Sequence, residues 1–248
     1  MAFRSVANLA AFISLHLCLV SVHAQSTPWD SMDYGPFLSS AVEVEPGNIA
    51  YKGIAVPIGR TPEGEATMLF DTDLLRWAGG WRGDGVDLRG IVYDGPHGVH
   101  PDIEGVLDWS LDSRPGVSTS GEFVDIRSWK YGPMNPRDGR WNGIRLNGEQ
   151  VAFSYRAGDT EILETPGLLQ LNGLSAYTRT ISIDGTDREL MLKILGSHRD
   201  SMRSLESYGF DSLSNGKGQR FGVVLQESGD PFLAIGLVQA SFDDARIV

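Results

Sequence analysis

The feature that most limits this fold is the density and chemistry of its turn signals. Asn-Gly pairs stand at Asn142, Asn147, Asn172 and Asn215. Both residues tolerate positive φ, which the two-residue type I′ hairpin turn demands. The stretches between turns are short and alternate with period two. "VAFSYRA" puts Val151, Phe153 and Tyr155 on one face, Gly158 and Asp159 make a turn, and "TEILET" reads as the return strand. "LSAYTRTISI", the turn "DGTD" and "RELMLKIL" repeat that arrangement, as do "RFGVVLQE", "SGDP" and "FLAIGLVQASF". "NIAYKGIAVPIG" and "ATMLFDT" form a further pair around "RTPEGE". These patterns predict an all-β, antiparallel β-sandwich-like fold with long loops and few short helical turns. Two such turns are expected. One is "DTDLLRWAGG", with Asp71 or Asp73 as N-cap and Gly79 as C-cap; the other is "SHRDSMRSLESYGF".

The first 24 residues read as a secretory signal peptide: Arg4, the apolar run "LAAFISLHLCLVSV", then small residues before Gln25. The apolar run is too short for a membrane span, so no stable span is expected after cleavage. Residues 25–248 are expected to form a single β-rich domain, with a subdivision into two layers near 110–145. Cys18, the sole cysteine, lies in the signal segment. The mature chain therefore has no disulfide, no thiolate nucleophile and no C-x-x-C-H for covalent haem. A cysteine-free exported chain points to the periplasm or the extracellular side of a bacterial envelope. The formal net charge of −11 is spread along the chain, and no basic stripe exists, so nucleic acid is not an expected partner.

The blocks "PWDSMDYGPFLSS", "NIAYKGIAVPIG", "FDTDLLRWAGGWRG", "YDGPHGVHP" and "EILETPGL", in that order, resemble DUF6797, a domain of unknown function in exported proteins of planctomycetes and related bacteria. The resemblance runs from about Trp29 to the C-terminus. It implies an exported, β-rich module that commonly opens a longer chain, in some cases one with a c-type cytochrome domain. This sequence carries no haem motif, so electron transfer is not carried over to it. The resemblance transfers no catalytic residue. The apolar end "GLVQASFDDARIV" favours a chain cut from a longer one.

Three groups of residues carry possible chemistry. In "YDGPHGVHPDIEGVLDW", His97 and His100 stand three apart beside Asp94 and Asp102. Pro96, Gly98 and Pro101 exclude a helix there, so H-x-x-H cannot share a helical face. Convergence of His97, His100 and Asp102 on a metal requires loop geometry; the simpler reading is a stiff loop after a strand. In "FDTD", Asp71 and Asp73 form a D-x-D pair suited to a cation or to acid–base work, or else to capping, with Arg76 as ion-pair partner. Finally, Trp81, Trp129 and Trp141 sit beside Gly, Arg or Asp, as sugar-stacking indoles do, whereas filling of a β-core is the alternative. The expectation is a binding or structural module without a cofactor, contacting carbohydrate or another envelope domain through Trp81, Trp129, Trp141 and Arg76. The alternative is a polysaccharide hydrolase or lyase using His97 or His100 with Asp94 or Asp73.

Overall fold

The computed structural model describes residues 32–89, 100–171, 174–184 and 190–194, and the backbone of 210–214, 220–225 and 231–237. The described residues contain no helix. Five strands come first: β1 (Leu38–Glu45), β2 (Asn48–Thr61), β3 (Gly64–Asp71), β4 (Arg76–Asp87) and β5 (Asp102–Ser110). Each pairs antiparallel with the next, and the set closes into a barrel. A five-stranded meander leaves its first and last strands pointing the same way, so closure has to be parallel. It occurs where Glu43 meets Asp102, with the Glu43 N–H donating to the Pro101 carbonyl at 2.8 Å.

After the short β6 (Val117–Ser118), a second meander forms from β7 (Gly139–Asn147), β8 (Gln150–Ala157), β9 (Thr160–Leu171) and β10 (Leu174–Asp184). The β7–β8 hairpin turns at Gly148 and Glu149, with Asn147 paired to Gln150; Gly148 holds a φ of 59°, whereas Asn147 ends the strand rather than filling the first central position of a type I′ turn. β11 (Met191–Leu192) pairs with β6. β12 (Phe210–Ser214), β13 (Arg220–Leu225) and β14 (Pro231–Leu237) form a separate antiparallel sheet.

Two cores follow from the alternation. Val42, Val44, Ala50, Ala55, Leu69, Ala78 and Trp81 fill the barrel. The opposite faces of β2, β3 and β4 present Ile54, Val56, Met68, Phe70 and Trp77 to Val151, Phe153, Tyr155 and Ile162 of the second sheet. Phe70 stacks on Phe153 across this seam, with centroids 4.7 Å apart and planes 12° apart. β3 is therefore buried on both faces, and the molecule is sandwich-like because one barrel wall doubles as a sandwich layer.

Three sequence expectations change. "DTDLLRWAGG" is a β-turn at 72–75 followed by a strand, not a helical turn. Leu75 holds a φ of 49° in that turn, and its side chain is locked in the core. Gly79 and Gly80 are strand residues. A Cβ on Gly80 would stand 2.4 Å from the Trp109 indole nitrogen, so bareness here serves packing rather than a helix stop. Finally, the second half of "YDGPHGVHPDIEGVLDW" is no loop, because Asp102–Ser110 is β5. The second expected helical turn falls almost wholly on residues outside those described.

Candidate functional site

The β3–β4 turn is a hub. Asp71 and Arg76 are both buried and paired at 3.1 Å. The guanidinium also donates to the carbonyls of Leu111 and Asp112 at 2.8 and 2.9 Å, and to Asn48 Oδ1 at 2.9 Å. Burial pushes the Asp71 carboxyl above its ordinary range despite Arg76, and burial lowers Arg76 despite Asp71. The fork is thus spent on internal acceptors and has no face for a ligand. This corrects the expectation that Arg76 binds one. The Asp73 N–H donates to Asp71 Oδ1 at 3.1 Å, while the Asp73 carboxylate serves another segment. Its Oδ2 accepts the Gly132 N–H and its carbonyl accepts the Met134 N–H, each at 2.9 Å. Asp71 therefore closes the β3–β4 turn and pairs with Arg76, and Asp73 fastens the segment at Gly132 and Met134.

What Asp73 fastens is the long connection from β6 to β7. Within it, Arg127 donates through Nε and Nη2 to both oxygens of Asp125 at 2.9 Å, and through Nη1 and Nη2 to the carbonyls of Gly132 and Lys130. Arg127 draws the Asp125 carboxyl below its usual range. Burial works against the Arg127 charge, but Asp125, Asp71 and Asp73 outweigh it and raise the guanidinium. Met134 anchors the segment's end in the core. This loop is pinned at three points.

The pinned loop exposes apolar side chains. Trp129 is 70% and Tyr131 60% exposed, and their rings lie 6.3 Å apart with planes 27° apart. Tyr131 meets Tyr51 of β2 edge-on at 5.8 Å, and Tyr51 meets His100 at 5.5 Å. Four rings thus run from the loop to the start of β5. Each has a polar tip beside an apolar face.

The remaining expected residues scatter. Trp81 is fully buried in the barrel, its indole N–H donating to the Gly85 carbonyl at 2.7 Å, which removes it from any ligand surface. Trp141 is half-buried against Phe70 and Phe153 at the core's edge. Asp102 pairs with Arg89. Asp94 and His97 lie outside the described residues, and among the described residues no three His, Cys, Asp or Glu side chains gather as metal ligands do. Sequence reading missed Tyr51 and Tyr131. The run "SWKYG" signalled two aromatics one residue apart; their neighbours across the fold had no signal.

The stretch from the middle of β3 through the fastened loop to β9 is the part comparison with known families recognises. Residues 68–164 match the family model of DUF6797, a domain of unknown function. The DUF6797 match takes in the Asp71–Arg76 hub, the loop with Trp129 and Tyr131, and part of both β-layers, whereas the resemblance read from the sequence ran on to both sides of it. Comparison with curated proteins finds no match, and neither does comparison with solved structures.

Proposed function

We propose that this chain is an exported, non-catalytic binding module, and that it takes a neutral glycan on the ring strip Trp129–Tyr131–Tyr51–His100. The observation carrying this reading is the exposure of Trp129 and Tyr131, 70% and 60%, on a loop that Asp73 and Arg127 hold still. Displaying large apolar rings to water is unfavourable, and a fixed backbone prevents their collapse onto the surface. Sugar rings present C–H faces that stack on such side chains, with hydroxyls that reach the indole N–H, phenols and imidazole at the rim. Pre-fixing the loop reduces the ordering cost of binding. The formal charge of −11 disfavours anionic polymers, which narrows the ligand to neutral glycans. Export follows from the basic, apolar and small-residue sequence of the first 24 residues.

A glycan array probed with the full chain, followed by calorimetry on any hit, tests this. Trp129→Ala and Tyr131→Ala should each weaken the hit about ten-fold while leaving the melting temperature unchanged, since both side chains stand in solvent. An array without neutral-glycan binding overturns the reading.

A further inference from the structure

The connection Glu122–Arg127 belongs to no strand and closes on itself where the Arg127 N–H donates to Asp125 Oδ1 at 3.1 Å, yet its side chains alternate in exposure. Val124 and Ile126 are 56% and 71% exposed, whereas the charged Asp125 and Arg127 between them turn inward, with side chains 25% and 10% exposed. An ordinary surface strand does the reverse. The inversion is enforced, because Arg127 is bound to Asp125 and to two loop carbonyls. Among the described residues, the main-chain N–H and C=O groups of Glu122–Ile126 form no hydrogen bond. A groove of about 200 Å³ runs alongside, lined by Val117, Ser120, Glu122, Ile126, Met134 and Asp138 among others. Asp125 is neutralised there by Arg127, while Glu122 and Asp138 take part in no ion pair among the described residues, so the groove is negative. Neither Trp129 nor Tyr131 lines it, so this surface is distinct from the ring strip.

We propose that Glu122–Ile126 is a docking segment for an extended peptide of another protein, one in which a Lys or Arg stands two positions from apolar residues. The main chain of Glu122–Ile126, unpaired among the described residues, supplies the ladder for a partner strand, as in recognition by strand addition. Val124 and Ile126 supply the apolar contact, and a Lys or Arg of the partner enters the groove between Glu122 and Asp138. The charge of the groove selects the basic residue; the shared face of Glu122, Val124 and Ile126 sets its spacing of two from the apolar ones. This site needs no glycan, so it stands or falls separately from the ring strip.

A phage-displayed heptapeptide library panned on the full chain tests it, with enriched peptides synthesised and measured by fluorescence anisotropy. Enriched sequences should carry Lys or Arg two positions from apolar residues. Ile126→Glu should weaken them about ten-fold or more, and Glu122→Gln with Asp138→Asn should lower affinity for the basic peptides specifically. N-methylation of the peptide's ladder amides should abolish binding on the unaltered chain, a readout independent of any variant's folding. Trp129→Ala should leave binding unchanged. Failure to enrich any sequence, equal binding by Ile126→Glu, or tolerance of N-methylation overturns the proposal. So does loss in Trp129→Ala with survival in Ile126→Glu, which puts the peptide on the ring strip. Self-association in sedimentation that Ile126→Glu abolishes makes a second copy the occupant and likewise overturns it.

Discussion

At the scale of single residues, Glu164 joins the two β-layers. It is fully buried, yet it accepts from Trp77 Nε1 at 2.7 Å and Tyr155 Oη at 2.6 Å and pairs with the Arg179 guanidinium. Those partners come from β4, β8 and β10, so one carboxylate joins the barrel wall to three strands of the second sheet. Glu164→Ala would strand the Arg179 charge and two polar hydrogens in the interior. The expected loss is about 3–5 kcal/mol, read as a lower midpoint in urea unfolding. Glu164→Gln keeps the shape and one acceptor, so it should lose less. Equal stability of Glu164→Ala and the parent would show the network to be idle. The alternation of "EILET" already put Glu164 in phase with the buried Ile162, so an acid on the inner face was legible. Its partners were not, because residues 77, 155 and 179 meet only through long-range packing.

At the scale of elements, β4 shows why period counting fails locally. Phe70 pairs with Trp77 and Leu69 with Gly79, so Ala78 is an extra residue on β4, a bulge. Four positions separate Trp77 from Trp81, and strict alternation would put both on one face. The bulge turns Trp77 to the sandwich seam and Trp81 into the barrel. "RWAGGW" therefore matched neither template, and the Gly pair read as a helix end. Gly80→Ala would drive a Cβ into the Trp109 ring, and about 1–3 kcal/mol of stability should go with it, seen as a lower melting temperature. The β6–β7 connection makes the complementary case. "FVDIRS" alternates in exposure without belonging to a strand, with Phe123 and the charges of Asp125 and Arg127 inward and Val124 and Ile126 outward. Asp73→Ala removes the acceptor for the Gly132 N–H and should speed hydrogen exchange at Gly132 without altering far-UV dichroism. Unchanged exchange would mean that Arg127 alone fixes the loop.

At the scale of the whole molecule, the two layers are joined by groups whose ionisation sets an upper pH limit on the fold. Burial raises the Tyr155 hydroxyl well above its ordinary 10.0, and Glu164 beside it adds to the shift. Burial, reinforced by the bond to Asp108 at 2.7 Å, raises Tyr177 likewise. Tyr177 lies on β10 and Asp108 on β5, so this bond ties the sheet to the barrel, and the Tyr177 ring packs against the cluster that holds the Phe70–Phe153 stack. In the unfolded chain both phenols lose their protons near pH 10, whereas in the folded chain they keep them. Above that pH the unfolded state binds fewer protons than the folded state, so stability falls as pH rises. Below it the contribution of both groups is fully present and the curve is flat with respect to them. Urea midpoints measured from pH 8 to pH 11.5 should therefore hold steady and then decline above about pH 10. Tyr177→Phe should lower the plateau by losing the bond to Asp108 and should make the decline shallower, because one of the two titrating groups is gone. Tyr155→Phe should do the same with a larger plateau loss, since it leaves an oxygen of the fully buried Glu164 unsatisfied. A decline of equal steepness in both variants and the parent would assign the alkaline limit to the lysines instead.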